Sequence, residues 1–114
     1  MSAHRIEIED GTREVVVRAG EHVVARSARP KLLHEGKLPV RRYLPADAVA
    51  PGVVLTRTEK ATHCPFKGDA TYWTVAVNGH TIENAAWSYE APIPQAAAIA
   101  GHVCFDLAPE ITVE

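Results

Sequence analysis

The chain is poor in cysteine: Cys64 and Cys104 are the only two. That is too few for a disulfide scaffold, and reduced thiols fit a cytoplasmic protein. No Cys-x-x-Cys pair is present to seed a structural zinc site. The histidines are dispersed at positions 4, 22, 34, 63, 80 and 102. His63 and Cys64 are adjacent, and neighbours on a strand point to opposite faces, so they do not make a ligand pair. Neither a metal nor another cofactor is expected. Charge of one sign is also missing. Twelve Lys and Arg against 14 Asp and Glu leave a net charge of −2, with no basic footprint for general nucleic-acid binding. No apolar run approaches the roughly 20 residues that cross a bilayer, and the N-terminus lacks the apolar core of a secretory signal. The expectation is a cytoplasmic protein without a membrane partner. Repeats, low-complexity tracts and linkers are absent, so residues 1–114 read as one domain.

Aromatic residues make up only 6% of the chain, which makes their placement informative. Both Trp residues and two of the three Tyr residues fall in two short patches. One runs from Thr62 to Trp73 and includes His63-Cys64-Pro65-Phe66-Lys67-Gly68-Asp69. The other runs from Glu83 to Tyr89.

The rest reads mainly as β-structure. Ile6-Glu7-Ile8-Glu9 alternates, and Glu14–Arg18 and His22–Ala25 flank a tight turn at Ala19-Gly20-Glu21. Strands are expected over Lys31–His34, Val40–Leu44 and Val53–Thr58, with a turn or single helical turn at Pro45–Val49. Asn78-Gly79 is the preferred pair for a type I′ hairpin joining Thr71–Val77 to His80–Trp87. That register puts Val77 opposite His80, Val75 opposite Ile82, and Trp73 opposite Asn84. Trp73, Val75, Val77 and Ile82 then form a core face. Tyr72, Thr74, Glu83, Ala85 and Trp87 form a mixed face that reads as a lining. Gln95–Ala100 is alanine-rich and predicts a short helix stopped by Gly101. His102–Phe105 reads as a final strand, with Ile111–Val113 at an edge. The expected architecture is a small antiparallel β-fold with one short helix near residues 94–100.

Several residues are candidates for chemistry. Cys64, with Lys67 nearby, is a candidate nucleophile; the bland alternative is a buried structural thiol. Lys67 and Gly68 suit an anion clamp, a cation beside exposed backbone N–H groups, or else an ordinary solvated loop. Tyr72, Trp87 and Tyr89 can stack on a flat or cationic ligand, with Glu83 and Asn84 as polar partners; alternatively they fill the core. If Glu83 is buried, Arg41, Arg42 or Lys67 is expected to pair with it. Arg41 and Tyr43 complete the candidate ligand-binding set with His63. Alternation lets only one of Arg41 and Arg42 face a given pocket.

The string Thr62-His63-Cys64-Pro65-Phe66-Lys67-Gly68-Asp69-Ala70-Thr71-Tyr72-Trp73, followed by Glu83-Asn84-Ala85-Ala86-Trp87-Ser88-Tyr89, resembles the domain of unknown function 427 family. Val40–Val49 and Gly101–Phe105 fit as well, so the resemblance covers about residues 5 to 107. It implies a β-tent, two antiparallel sheets meeting at an angle, shared with methionine sulfoxide reductase B and the drug-binding domain of cereblon. Many such relatives hold a zinc with four cysteines, and that metal does not carry over to this sequence. The family sometimes bears a nucleotidyltransferase label. Asp106 departs from the family, which often has an aromatic residue there.

Three functions compete on these residues. One is a module binding a small polar or heterocyclic ligand, anionic or nucleotide-like in one version. The second is an enzyme of nucleotidyl-transfer or Cys64-thiol type. The third is a structural or protein-interaction domain, a homodimer included. The binding module accounts for the aromatic clustering without a complete catalytic set.

Overall fold

The structure, a computed structural model, describes residues 5–105 and 108–114. Asp106 lies outside the described residues. The strands are β1 (Ile6–Asp10), β2 (Val15–Ala19), β3 (His22–Ser27), β4 (Lys31–Glu35), β5 (Arg41–Leu44), β6 (Val54–Cys64), β7 (Gly68–Val77), β8 (His80–Ser88), β9 (Val103–Cys104) and β10 (Ile111–Val113). They build two antiparallel sheets: seven strands in the order β1-β4-β5-β9-β8-β7-β6, and three in the order β10-β2-β3. The expectation of a small antiparallel β-fold holds.

The larger sheet is apolar on both faces. On one, Leu44, Val75, Val77, Ile82, Ala86, Val103 and Phe105 meet Val15, Val17, Val24, Ala25 and Ile111 of the smaller sheet. The partly buried Trp73 packs there too, as its core assignment requires. The other face gathers Leu33, Tyr43, Ala70, Tyr72, Trp87, Tyr89 and Cys104 under Ala96 and Ile99.

Ala96 and Ile99 belong to the segment expected to be a short helix. It is instead a 3₁₀ segment, Pro94–Ile99, interrupted at Ala96 (φ −110°). Its ends are tethered: the Ile93 N–H donates to the Lys67 carbonyl at 2.9 Å and the Gly101 N–H to the Tyr89 carbonyl at 3.1 Å. A span this short between two anchors closes i→i+3 bonds, such as Ala96 N–H to Ile93 carbonyl, rather than α-helical ones.

The β7–β8 turn forms as expected, with Asn78 at φ 49° and Gly79 at φ 82°. Val77 faces His80 and Val75 faces Ile82. Trp73 does not face Asn84; it faces Ala86. Asn84 takes a left-handed backbone (φ 53°), and β8 bulges outward there. Its N–H donates to Thr74 Oγ1 at 3.3 Å, and its side-chain Oδ1 accepts from Thr58 Oγ1 at 2.6 Å. The bulge adds two residues, one full strand period. Trp87 therefore keeps the face assigned to it and lands directly opposite Tyr72. β6 bulges in step, between Arg57 and Ala61, and runs on past the expected end at Thr58 to Cys64.

The larger sheet also curls. Glu35, at the end of β4, contacts Lys67, in the turn between β6 and β7, at 2.7 Å. Three strands separate β4 from β7 in the sheet order. A flat sheet with strands ~4.8 Å apart would hold these two strands ~19 Å from one another. The contact forms because the sheet wraps around its aromatic face.

The turn feeding Lys67 into that contact depends on Gly68. Its φ is +118°, and a Cβ there would stand 3.3 Å from Pro92 Cα. Gly79 (φ +82°) has open space around it. Gly68→Ala is expected to cost about 1–3 kcal/mol in urea denaturation, more than Gly79→Ala, which carries the backbone penalty alone. Equal losses would mean that the Gly68–Pro92 approach is not constrained.

Candidate functional site

Strand register builds the concave face from single side chains. Tyr72 pairs with Trp87 across β7–β8, Trp87 with Cys104 across β8–β9, and Tyr43 with Cys104 across β5–β9. Tyr43, Cys104, Trp87 and Tyr72 thus form one row across four strands. Trp87 Nε1 donates to the Tyr43 hydroxyl at 3.0 Å, and the two rings meet edge-on at 90° with centroids 6.4 Å apart. Tyr89 lies 6.5 Å from Tyr43, centroid to centroid. The Tyr72 hydroxyl is 3.0 Å from Thr62 Oγ1. These aromatics are buried, and each of the hydrogen-bonded polar tips has a partner within the protein.

Three cations sit over three of the rings. Arg41 lies 5.7 Å from the Trp87 centroid, Lys60 4.6 Å from Tyr72, and Lys67 5.9 Å from Tyr89. Such contacts are each worth roughly 0.5–2 kcal/mol, according to how dry they are. Lys67 is held most firmly. The Lys67 N–H donates to the Cys64 carbonyl at 3.1 Å, and its Nζ reaches Glu35 Oε1 at 2.7 Å. The two charged side chains are only 12% and 10% exposed. Two opposite charges are thus largely withdrawn from water beside an aromatic cluster.

Burial pushes the Tyr43 phenol far above its usual range, with Cys104 adding to the effect and the Trp87 hydrogen bond opposing it. Burial does the same to Tyr89, reinforced by Cys64, Tyr72, Glu35 and Cys104.

The structure therefore brings Arg41, Tyr43, Cys64, Lys67, Tyr72, Trp87 and Tyr89 to one face, with Gly68 in the supporting turn. It leaves three candidates elsewhere. His63 pairs with Asp69 across β6–β7, its Nδ1 2.7 Å from Asp69 Oδ1, both side chains well exposed. Cys64 pairs with Gly68 in the next register position and so points to the other face. His63 has an orienting carboxylate, but the dyad is turned away from the thiol. Glu83 is exposed on the β8 bulge, and Asn84 fixes that bulge.

Sequence reasoning missed Glu35 and Lys60. Lys67 pairs with Glu35, not with Glu83. The signal for Glu35 was present: in Lys31-Leu32-Leu33-His34-Glu35, Leu33 and Glu35 share a face, and both are buried. Lys60 had no such signal, because the β6 bulge sets its direction. Among the described residues, no group of three or more His, Cys, Asp or Glu side chains converges in a way that would hold a metal ion. Among those residues, too, no helix is long and apolar enough to cross a membrane.

Two expectations follow. The fold favours the neutral form of the Tyr43 and Tyr89 phenols, so their stabilisation is complete below the ordinary tyrosine value near ~10 and is lost as pH rises past it. Chemical denaturation between about pH 8 and pH 11 should show stability falling by up to ~1.4 kcal/mol per pH unit for each phenol. Tyr89→Phe should flatten that limb; an unchanged slope would contradict the burial of its hydroxyl. Second, Cys64 is half-exposed and Cys104 fully buried. A maleimide reagent should modify one thiol in the native protein and two after unfolding, with Cys64→Ser abolishing the native reaction. Modification of Cys104 in the folded chain would disprove its placement.

A comparison with curated proteins finds no match. The family described as Domain of unknown function (DUF427) matches over residues 7–113, nearly the whole chain, and spans every strand of the concave face. The chain belongs to the DUF427 family.

Proposed function

We propose that the concave aromatic face, at the rim formed by the Cys64–Gly68 turn, binds a small polar or heterocyclic ligand bearing an anionic group. The observation that carries this reading is the Lys67–Glu35 pair, 12% and 10% exposed and set against Tyr89. Withdrawing two charges from water costs several kcal/mol per ion, and apolar residues of similar volume often close a core as well or better. A pair kept in such a place is suited to exchange: a carboxylate or phosphate can take up the Lys67 N–H donors that Glu35 leaves open. Tyr72 and Tyr89 are buried, so the ligand would meet only the edge of the aromatic cluster, where the half-exposed Cys64 marks the open side of the turn.

The enzyme readings have less support. A thiol nucleophile needs a base, and His63 faces away from Cys64. Nucleotidyl transfer recruits divalent ions through clustered carboxylates, and no such cluster forms among the described residues.

Native mass spectrometry of protein purified from its own host tests the binding reading. The wild-type chain should carry a small molecule at stoichiometric level, released on denaturation. The double variant Lys67→Met with Glu35→Gln, which keeps the packing volume without the charges, should be folded by circular dichroism and should emerge without the molecule. A wild-type chain that emerges bare, or a double variant that retains the same molecule, would count against it.

A further inference from the structure

A hollow of about 400 Å³ opens between the β1–β2 loop, the β3–β4 loop and the segment before β9, lined by Asp10, Gly11, Arg29, Pro30, Lys31, Pro45 and His102. None of these residues belongs to the concave-face site. We propose that this hollow is a second site, binding a phosphate-class oxyanion carried by a small soluble molecule.

The charges favour an anion in a chain whose net charge is −2. Arg29 and Lys31 stand against Asp10 alone in the lining. Asp10 bonds the Lys31 ammonium, and that contact holds the Asp10 carboxyl below its usual range. An ammonium carries three N–H donors, so Lys31 keeps two for a ligand. Asp47 approaches Arg29 only to 4.0 Å, with side chains 79% and 78% exposed, a contact of little strength. The Arg29 fork therefore remains available for bidentate recognition of an oxyanion. His102 lines the same hollow.

The walls are preorganised. The Gly11 N–H donates to the Pro30 carbonyl at 2.8 Å, tying the two loops together. A Cβ on Gly11 would stand 2.7 Å from Pro30 Cγ, so the approach admits only glycine without a shift. The Arg29 N–H donates to Ser27 Oγ at 2.9 Å, and His102 Nδ1 lies 3.1 Å from the Ala100 carbonyl. These contacts fix the loops that carry the donors, so less freedom is lost on binding.

Gly11 and Pro30 also wall a neighbouring hollow of about 500 Å³. There Glu14 and Glu114 offset Arg13 and Arg42, so the anion belongs to the first hollow, and the uncharged polar part of the ligand has room in the second.

The test is a titration of the full chain with inorganic pyrophosphate, followed by amide ¹H–¹⁵N NMR against an equal ionic strength of sodium chloride. Saturable shifts at Gly11, Arg29, Lys31 and His102 are expected. The double variant Arg29→Gln with Lys31→Gln should weaken binding about tenfold or more, with other amides unmoved. If that double fails to fold, Arg29→Gln alone, at a largely exposed side chain, carries the same comparison. The double variant Lys67→Met with Glu35→Gln should keep the saturable shifts at Gly11, Arg29, Lys31 and His102, so failure here is distinct from failure of the concave-face reading. Ribose 5-phosphate binding in the same range would support a soluble ligand. Retention only on vesicles of phosphatidylcholine with phosphatidic acid would overturn that source. Shifts that do not saturate, that chloride reproduces, or that the Arg29 and Lys31 variants leave unchanged would overturn the site itself.

Discussion

One contact closes the architecture: Lys67 Nζ to Glu35 Oε1 at 2.7 Å. It joins the end of β4 to the β6–β7 turn, two places that the sheet order separates by three strands. Hydrogen-bonded strand pairing fixes neighbours, but it leaves the curvature of a sheet open. This ion pair pins the wrapped sheet, which curls around its aromatic face, at the end of β4. The wrap in turn encloses Tyr43, Tyr72, Trp87 and Tyr89, since an aromatic face on a flat sheet would lie open to water. The turn carrying Lys67 is held at its own end by Gly68, whose left-handed backbone brings it against Pro92. The segment that starts there, Pro92 onward, lays Ala96 and Ile99 over the aromatic face.

Within that wrap, side-chain direction depends on two bulges of matching size. β6 gains two residues against β7 as it passes Tyr72, and β8 gains two as it passes Thr74. A gain of one would have turned Trp87 into the other core and broken the Tyr43–Trp87 hydrogen bond. A gain of two preserves the alternation and changes only the partners. It also swings Lys60 over Tyr72 and frees Asn84 to cap the bulge through Thr58. The result is a buried polar and aromatic network in which Tyr43, Tyr72 and Trp87 each have a hydrogen-bond partner. Such a network is rigid when complete.

Much of this was legible in the residues. Alternation and the Asn78-Gly79 pair located the strands and the main turn, and the two aromatic patches do meet. Trp73 and Trp87 were assigned to opposite faces and occupy them. What could not be read were features that depend on distant chain. The β8 bulge at Asn84 needs Thr58 and Thr74 as partners. The 3₁₀ segment is shaped by anchors on Lys67 and Tyr89, which local alanine content does not reveal. Glu35 shared a face with Leu33 in plain sequence, yet only the curl of the sheet made it the partner of Lys67. His63 acquired its orienter, Asp69, through a hairpin register, and the same register turned it away from Cys64.

The dependence of the fold on the Lys67–Glu35 contact is open to one direct measurement, a double-mutant cycle on Lys67→Met and Glu35→Gln read by urea denaturation. Each single change breaks the buried ion pair and should cost about 3–5 kcal/mol, whereas the double should cost far less than the sum. A coupling of about 2 kcal/mol or more would establish that the pair holds β4 against the β6–β7 turn in solution. Additive losses, with no coupling beyond ~0.5 kcal/mol, would mean that the two side chains do not meet in solution and that something else sets the curvature.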